Sequence, residues 1–148
     1  MRTSLSASPD RIGWSSRIVL RLHVEALALA IPALALAIPI RRLLATFTPR
    51  RVLPIYSPIA AAEIAVIVKR RLRRPWVMRS TRCLREGLMT FYLMRLTGIP
   101  AVLHISVYPF DGRRSRAHCW VAVTGACVTT YPVAPFATIL THPAAEAR

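Results

Sequence analysis

The sequence predicts an α+β domain, with helices first and a small antiparallel sheet second. An alanine- and leucine-rich stretch and a second, rougher helical period fill the first half. A long amphipathic run follows from Cys83 to Gly98, closed by that glycine and then by Pro100. Beyond it lie two runs that alternate apolar and polar residues, AVLHISVY and AHCWVAV, separated by an Asp111-Gly112 turn signal.

Met1 to about Trp14 is polar and reads as a loose tail. Ile18 to Phe47 reads as helix, bent or divided at Pro32 and Pro39. Its apolar centre, Ala26 to Ile40, is shorter than the ~20 residues of a membrane-spanning helix. Arg21, His23 and Glu25 precede it and Arg41 and Arg42 close it, so a buried or interfacial segment is the better reading than a signal peptide. Thr48, Pro49 and Pro54 mark a connection, and Ile59 to Leu72 reads as a helix with Lys69 to Arg71 at its C-terminal end.

Ser80 and Thr81 are N-cap candidates for the next helix. Its apolar stripe is Leu84, Leu88, Phe91, Tyr92 and Leu96, while Arg85, Glu86 and Arg95 point elsewhere. On the first strand, Leu103, Ile105 and Val107 share one face and Val102, His104, Ser106 and Tyr108 the other. Thr124-Gly125 can turn the second strand into a third, ACVTTY. Residues 1–50 therefore form a tail plus an apolar helical segment and 51–148 the core, one compact domain overall.

The charge is lopsided: 21 basic residues against 6 acidic ones give a formal +15, and Lys69 is the only lysine. Such a surface suits an acidic peptide, a nucleic acid or an anionic membrane, or is simply a solvated Arg-rich exterior. No recognised nucleic-acid motif accompanies the charge, so no nucleic-acid partner is expected. The three cysteines, Cys83, Cys119 and Cys127, cannot all pair within one chain and lack zinc or redox spacing. That pattern favours free thiols in a reducing, cytoplasmic compartment, with the apolar segment able to lie against a membrane.

Cys83 falls in the first turn of its helix, where unpaired N–H groups and the positive end of the helix dipole favour an anion. Arg82 and Arg85 add positive charge in the sequence beside it, conditions that favour thiolate over thiol. The same N–H groups could hold a developing oxyanion. A buried structural cysteine is the plain alternative. His118, on the second strand with Trp120 and Ala122 on its face, supplies an imidazole base, and His104 competes for that role.

The run from Arg74 to Gly125 carries more than its separate pieces. It combines a PW-x-x-R segment ahead of RCL, the amphipathic helix ending at Gly98-Ile99, a short strand toward Val107, and an AHCWV box with a glycine turn behind it. In this combination it resembles the transglutaminase-like peptidases of lasso-peptide biosynthesis, which remove the leader from a precursor peptide. The resemblance implies a papain/transglutaminase-like cysteine peptidase core, with Cys83 as nucleophile and His118 as base. Members of that family usually carry an Asp or Glu a dozen residues past the histidine, and here that position is Thr130. A Thr129 or Thr130 hydroxyl, or a backbone carbonyl, would then have to orient the ring, or the chain would be a weak or inactive scaffold.

The resemblance also implies the partners: a precursor peptide, a separate leader-recognition protein and a macrolactam synthetase. It implies no cofactor and no metal, ATP entering only through partner proteins. An Arg-rich nucleic-acid or anionic-surface binding protein is the reading from another class.

Overall fold

The computed structural model describes residues 14–56, 59–73, 82–108, 117–131 and 136–143. The first helix, α1 (Trp14–Ala37), is rich in alanine and leucine, both strong helix formers, and runs straight through Pro32. Pro32 removes one intrahelical donor, yet its ring is buried and the helix continues. The division comes at Pro39, which sits extended at φ −66° and ψ 152°. Its carbonyl then accepts the N–H groups of Arg42 and Leu43, starting α2 (Ile40–Thr46). Of the two prolines expected to bend or divide this segment, only the second ends a helix.

A 3-10 turn (Pro54–Tyr56) leads to α3 (Ala61–Leu72), which buries Ile64, Val68 and Leu72 at a four-residue spacing. Glu63 in its first turn and Lys69, Arg70 and Arg71 in its last complement the helix dipole. Helix α4 (Arg82–Leu96) ends in a Schellman turn. Gly98 adopts φ 86°, Gly98 N–H bonds to the Arg95 carbonyl and Ile99 N–H to the Met94 carbonyl. The expected N-cap residues Ser80 and Thr81, the Pro75-Trp76 segment and the Asp111-Gly112 turn lie outside the described residues.

The sheet is antiparallel with the order β3-β2-β1-β4. Strands β1 (Ala101–Val107) and β2 (Ala117–Val123) pair in full, with Leu103 opposite Val121 and Ser106 opposite His118. Thr124 (φ 49°) and Gly125 (φ 84°) make the tight turn into β3 (Ala126–Cys127). The expected third strand, ACVTTY, stops there because the Thr129 hydroxyl takes the Val121 N–H at 2.9 Å in place of a backbone carbonyl. The fourth strand, β4 (Ala137–His142), lies on the other edge against β1 and was not expected from the sequence.

One core joins these elements: Leu20, Val24 and Ile31 of α1, Ile64 and Val68 of α3, and Leu88 and Phe91 of α4 meet Leu103 and Val121 of the sheet. The apolar N-terminal segment is thus built into the same core as residues 51–148. By length and mean hydropathy, 1.8 over Ser16–Ala37, α1 could also cross a membrane, and 33% of that window is buried. Its outward side is apolar as well, with Leu22, Leu29 and Leu36 at 65%, 67% and 89% exposure.

Helix α4 and strand β2 approach closely at Gly87. A Cβ placed on Gly87 would sit 2.5 Å from Cys119 Sγ and 3.2 Å from Leu103 Cδ1. Gly87→Ala should destabilise the fold by roughly 1–3 kcal/mol in denaturant unfolding, despite the better helix propensity of alanine. Adding Cys119→Ala should recover most of that loss, and additive effects of the two substitutions would contradict the contact.

Candidate functional site

The close approach at Gly87 has a consequence one helical turn earlier. Cys83 precedes Gly87 by one turn of α4, and Ala117 precedes Cys119 by two residues of β2. Four helical residues and two strand residues each advance roughly 6 Å, so the two segments keep pace. Cys83 Sγ accordingly lies 3.8 Å from the Ala117 carbonyl oxygen, one residue from His118. The half-buried Cys83 thiol makes no hydrogen bond to His118 itself among the described residues.

His118 alternates to the other face of β2 from Cys119. Its Nε2 lies 2.8 Å from the backbone carbonyl oxygen of Thr130. A carbonyl can only accept, so Nε2 carries a proton, and of the two neutral tautomers the contact selects the one with its lone pair on Nδ1. The imidazole is therefore held in the tautomer that can take a proton through Nδ1, and the group that holds it is main chain. The contact does not use the Thr130 side chain.

That carbonyl is fixed from both sides. Upstream, the Thr129 hydroxyl is tied to Val121 N–H, and Cys127 Sγ donates to the Thr129 carbonyl at 3.2 Å. Downstream, the Tyr131 ring meets Trp120 edge-on with centroids 5.1 Å apart. Trp120 is in turn anchored by its indole N–H, which donates to Ser106 Oγ at 3.2 Å, and Ser106 bonds Thr138 of β4. Neither Trp120 nor Ser106 stood out as a functional candidate in the sequence, although both share a strand face with a histidine.

His104, the competing base, stacks on Trp120 with centroids 4.1 Å apart and planes 16° apart. Its Nδ1 lies 3.2 Å from Thr141 Oγ1, and burial pulls its pKa below the usual histidine value. His104 is thus a packing partner of the Trp120 wall. Cys119 is buried against Gly87, which pushes its thiol pKa well above the usual value, with the neighbouring Cys83 and Glu86 adding to the shift. It stays a neutral thiol, which leaves Cys83 and Cys127 as the half-exposed ones.

Arg85 departs from expectation. It is only 4% exposed rather than outward beside Cys83. Burial lowers its pKa, the nearby Arg71 lowers it further, and Glu25 of α1 opposes both. The carboxylate that makes this burial tolerable is far away in sequence, which is why the helical period alone put Arg85 outside. Glu146, the one acid after His118, lies outside the described residues. Among the described residues no group of three or more His, Cys, Asp or Glu side chains is arranged to hold a metal ion.

Because the contact to His118 is main chain, Thr130→Ala should leave the imidazole as the Nε2–H tautomer, read from its ring ¹⁵N shifts. A change of tautomer in that variant would mean that the hydroxyl orients the ring.

No curated protein and no solved structure matches this sequence. The model of the transglutaminase-like superfamily matches residues 26–141, from the middle of α1 to the end of β4. That superfamily includes cysteine peptidases, and the order of four helices before a four-stranded antiparallel sheet agrees with it. The chain belongs to the transglutaminase-like superfamily.

Proposed function

We propose that this protein is a cysteine peptidase that removes the leader from a ribosomally made lasso-peptide precursor. The observation that carries the catalytic part is the 2.8 Å contact between His118 Nε2 and the Thr130 carbonyl. His118 directly follows Ala117, whose own carbonyl lies 3.8 Å from the first-turn Cys83 thiol. The pathway rests on the resemblance of the segment Arg74 to Gly125 to leader peptidases.

In this reading Cys83 and His118 act as a dyad. His118 Nδ1 takes the thiol proton and Cys83 attacks the carbonyl carbon of the scissile peptide bond, breaking its π bond. Backbone N–H groups at the start of α4 stabilise the oxyanion. The protonated ring then delivers its proton to the departing amine, the C–N bond breaks and a thioester remains. Water, deprotonated by the same imidazole, hydrolyses the thioester and restores the thiol.

Thr130 is the position of the family acid, and its carbonyl takes over part of that acid's work. In the serine-protease template, replacing the acid by its amide costs about 10⁴ in rate, mainly because the wrong tautomer forms. A carbonyl acceptor enforces the right tautomer. It lacks only the full negative charge that would stabilise the imidazolium. The expected outcome is a slowed enzyme rather than a dead one.

The partners we assign are a separate leader-recognition protein and a macrolactam synthetase, the latter consuming the freed α-amine. The apolar outward side of α1, with Leu22, Leu29 and Leu36, is the surface we assign to the recognition protein. The test is incubation with the precursor and that partner, followed by mass spectrometry of the released leader. Cys83→Ala and His118→Ala should each abolish release, whereas Thr130→Ala should retain it. Leader release by the Cys83→Ala variant would overturn the assignment.

A further inference from the structure

A groove of about 550 Å³ runs between α1 and α3, away from the residues assigned to the dyad. Arg17, Arg21 and Glu25 line it from α1, and Glu63, Arg70 and Arg71 from α3. Val24 and Ile67 give the lining an apolar component. Four guanidinium groups against two carboxylates leave the groove positive.

At its deep end Arg71 is held by an ion pair. Arg71 donates from Nε to Glu25 Oε2 at 2.6 Å, while Nη1 of the same guanidinium is buried with no hydrogen-bond partner. Arg85 of α4 lies near enough to feel both charges. A buried donor without a partner costs stability, and the exposed guanidinium groups of Arg21 and Arg70 are the ones a ligand carboxylate can reach. Planar guanidinium groups suit carboxylates because two N–H groups can meet two oxygens.

We propose that the α1/α3 groove binds a peptide segment in which acidic and aliphatic side chains are interspersed. The two glutamates in the lining would repel a continuous phosphate backbone, whereas spaced carboxylates can avoid them. The apolar lining has a use for aliphatic side chains and none for phosphates. Calling this segment part of the substrate rests on the peptidase reading. The binding itself does not, and Arg85, two residues after Cys83, ties the groove's deep end to the helix that carries the thiol.

The test is fluorescence anisotropy of the full chain carrying Cys83→Ala with a labelled peptide of alternating glutamate and leucine. Controls are its glutamine-for-glutamate counterpart and a short single-stranded oligonucleotide. Arg21 and Arg70 are exposed, so Arg21→Glu with Arg70→Glu should fold, checked by circular dichroism. That pair should weaken acidic-peptide binding about 10–100-fold. The same charge change at the exposed Arg41 and Arg50, outside the groove, should have a much smaller effect. The groove variant should in turn gain affinity for a lysine–leucine peptide. Equal losses from both pairs, no binding by the parent chain, or displacement of the peptide by the oligonucleotide would each overturn the proposal. Because cleavage is disabled throughout, these outcomes are separate from those of the leader-release experiment.

Discussion

The arrangement of the candidate site depends on how closely β2 can approach α4. An ordinary side chain at Gly87 would hold the strand off, because its Cβ would fall within 2.5 Å of Cys119 Sγ. With glycine there, strand and helix run side by side over a turn, and the Ala117 carbonyl arrives beside Cys83. A small residue on a helix surface thus decides how near the strand that carries His118 comes to the helix that carries Cys83. Packing density makes this sensitive: interiors this tight transmit a methyl-sized change to their neighbours.

The second dependence is the fixed loop after β3. The Thr129 hydroxyl, the Cys127 thiol and the Tyr131 ring make contacts on both sides of Thr130, and these place its carbonyl as the acceptor. Trp120 couples this loop to the sheet through Ser106 and through its stack on His104. A dipole held in place can do the orienting half of a carboxylate's work without its charge. The partner shown for the ring is a neutral carbonyl, which supplies orientation without a full charge.

Much of this was legible in the sequence where the signal is local. The bounds of α4 follow from amphipathic spacing and from Gly98-Ile99-Pro100, and β1 and β2 follow from alternation. Other features depend on partners remote in the chain. Arg85 is buried where α1 brings Glu25 near it, against the opposing charge of Arg71 on α3, which no helical period reveals. The strand at Ala137–His142 is short, threonine-rich and mostly exposed, so its pairing with β1 leaves little hydrophobic pattern. The acceptor for His118 had no sequence signature, since every residue carries a carbonyl; only the fold selects the one at Thr130. Gly87 did leave a trace, as an isolated glycine inside a helical run.

The account stands or falls on whether His118 acts on Cys83. The direct measurement is the rate of alkylation of Cys83 by iodoacetamide at neutral pH, followed by peptide mass spectrometry. It should be compared among the parent chain, His118→Ala and Thr130→Ala, with unfolding curves to confirm that each is folded. The account predicts that His118→Ala slows alkylation of Cys83 markedly and that Thr130→Ala leaves it near the parent rate. Equal rates in all three would contradict it.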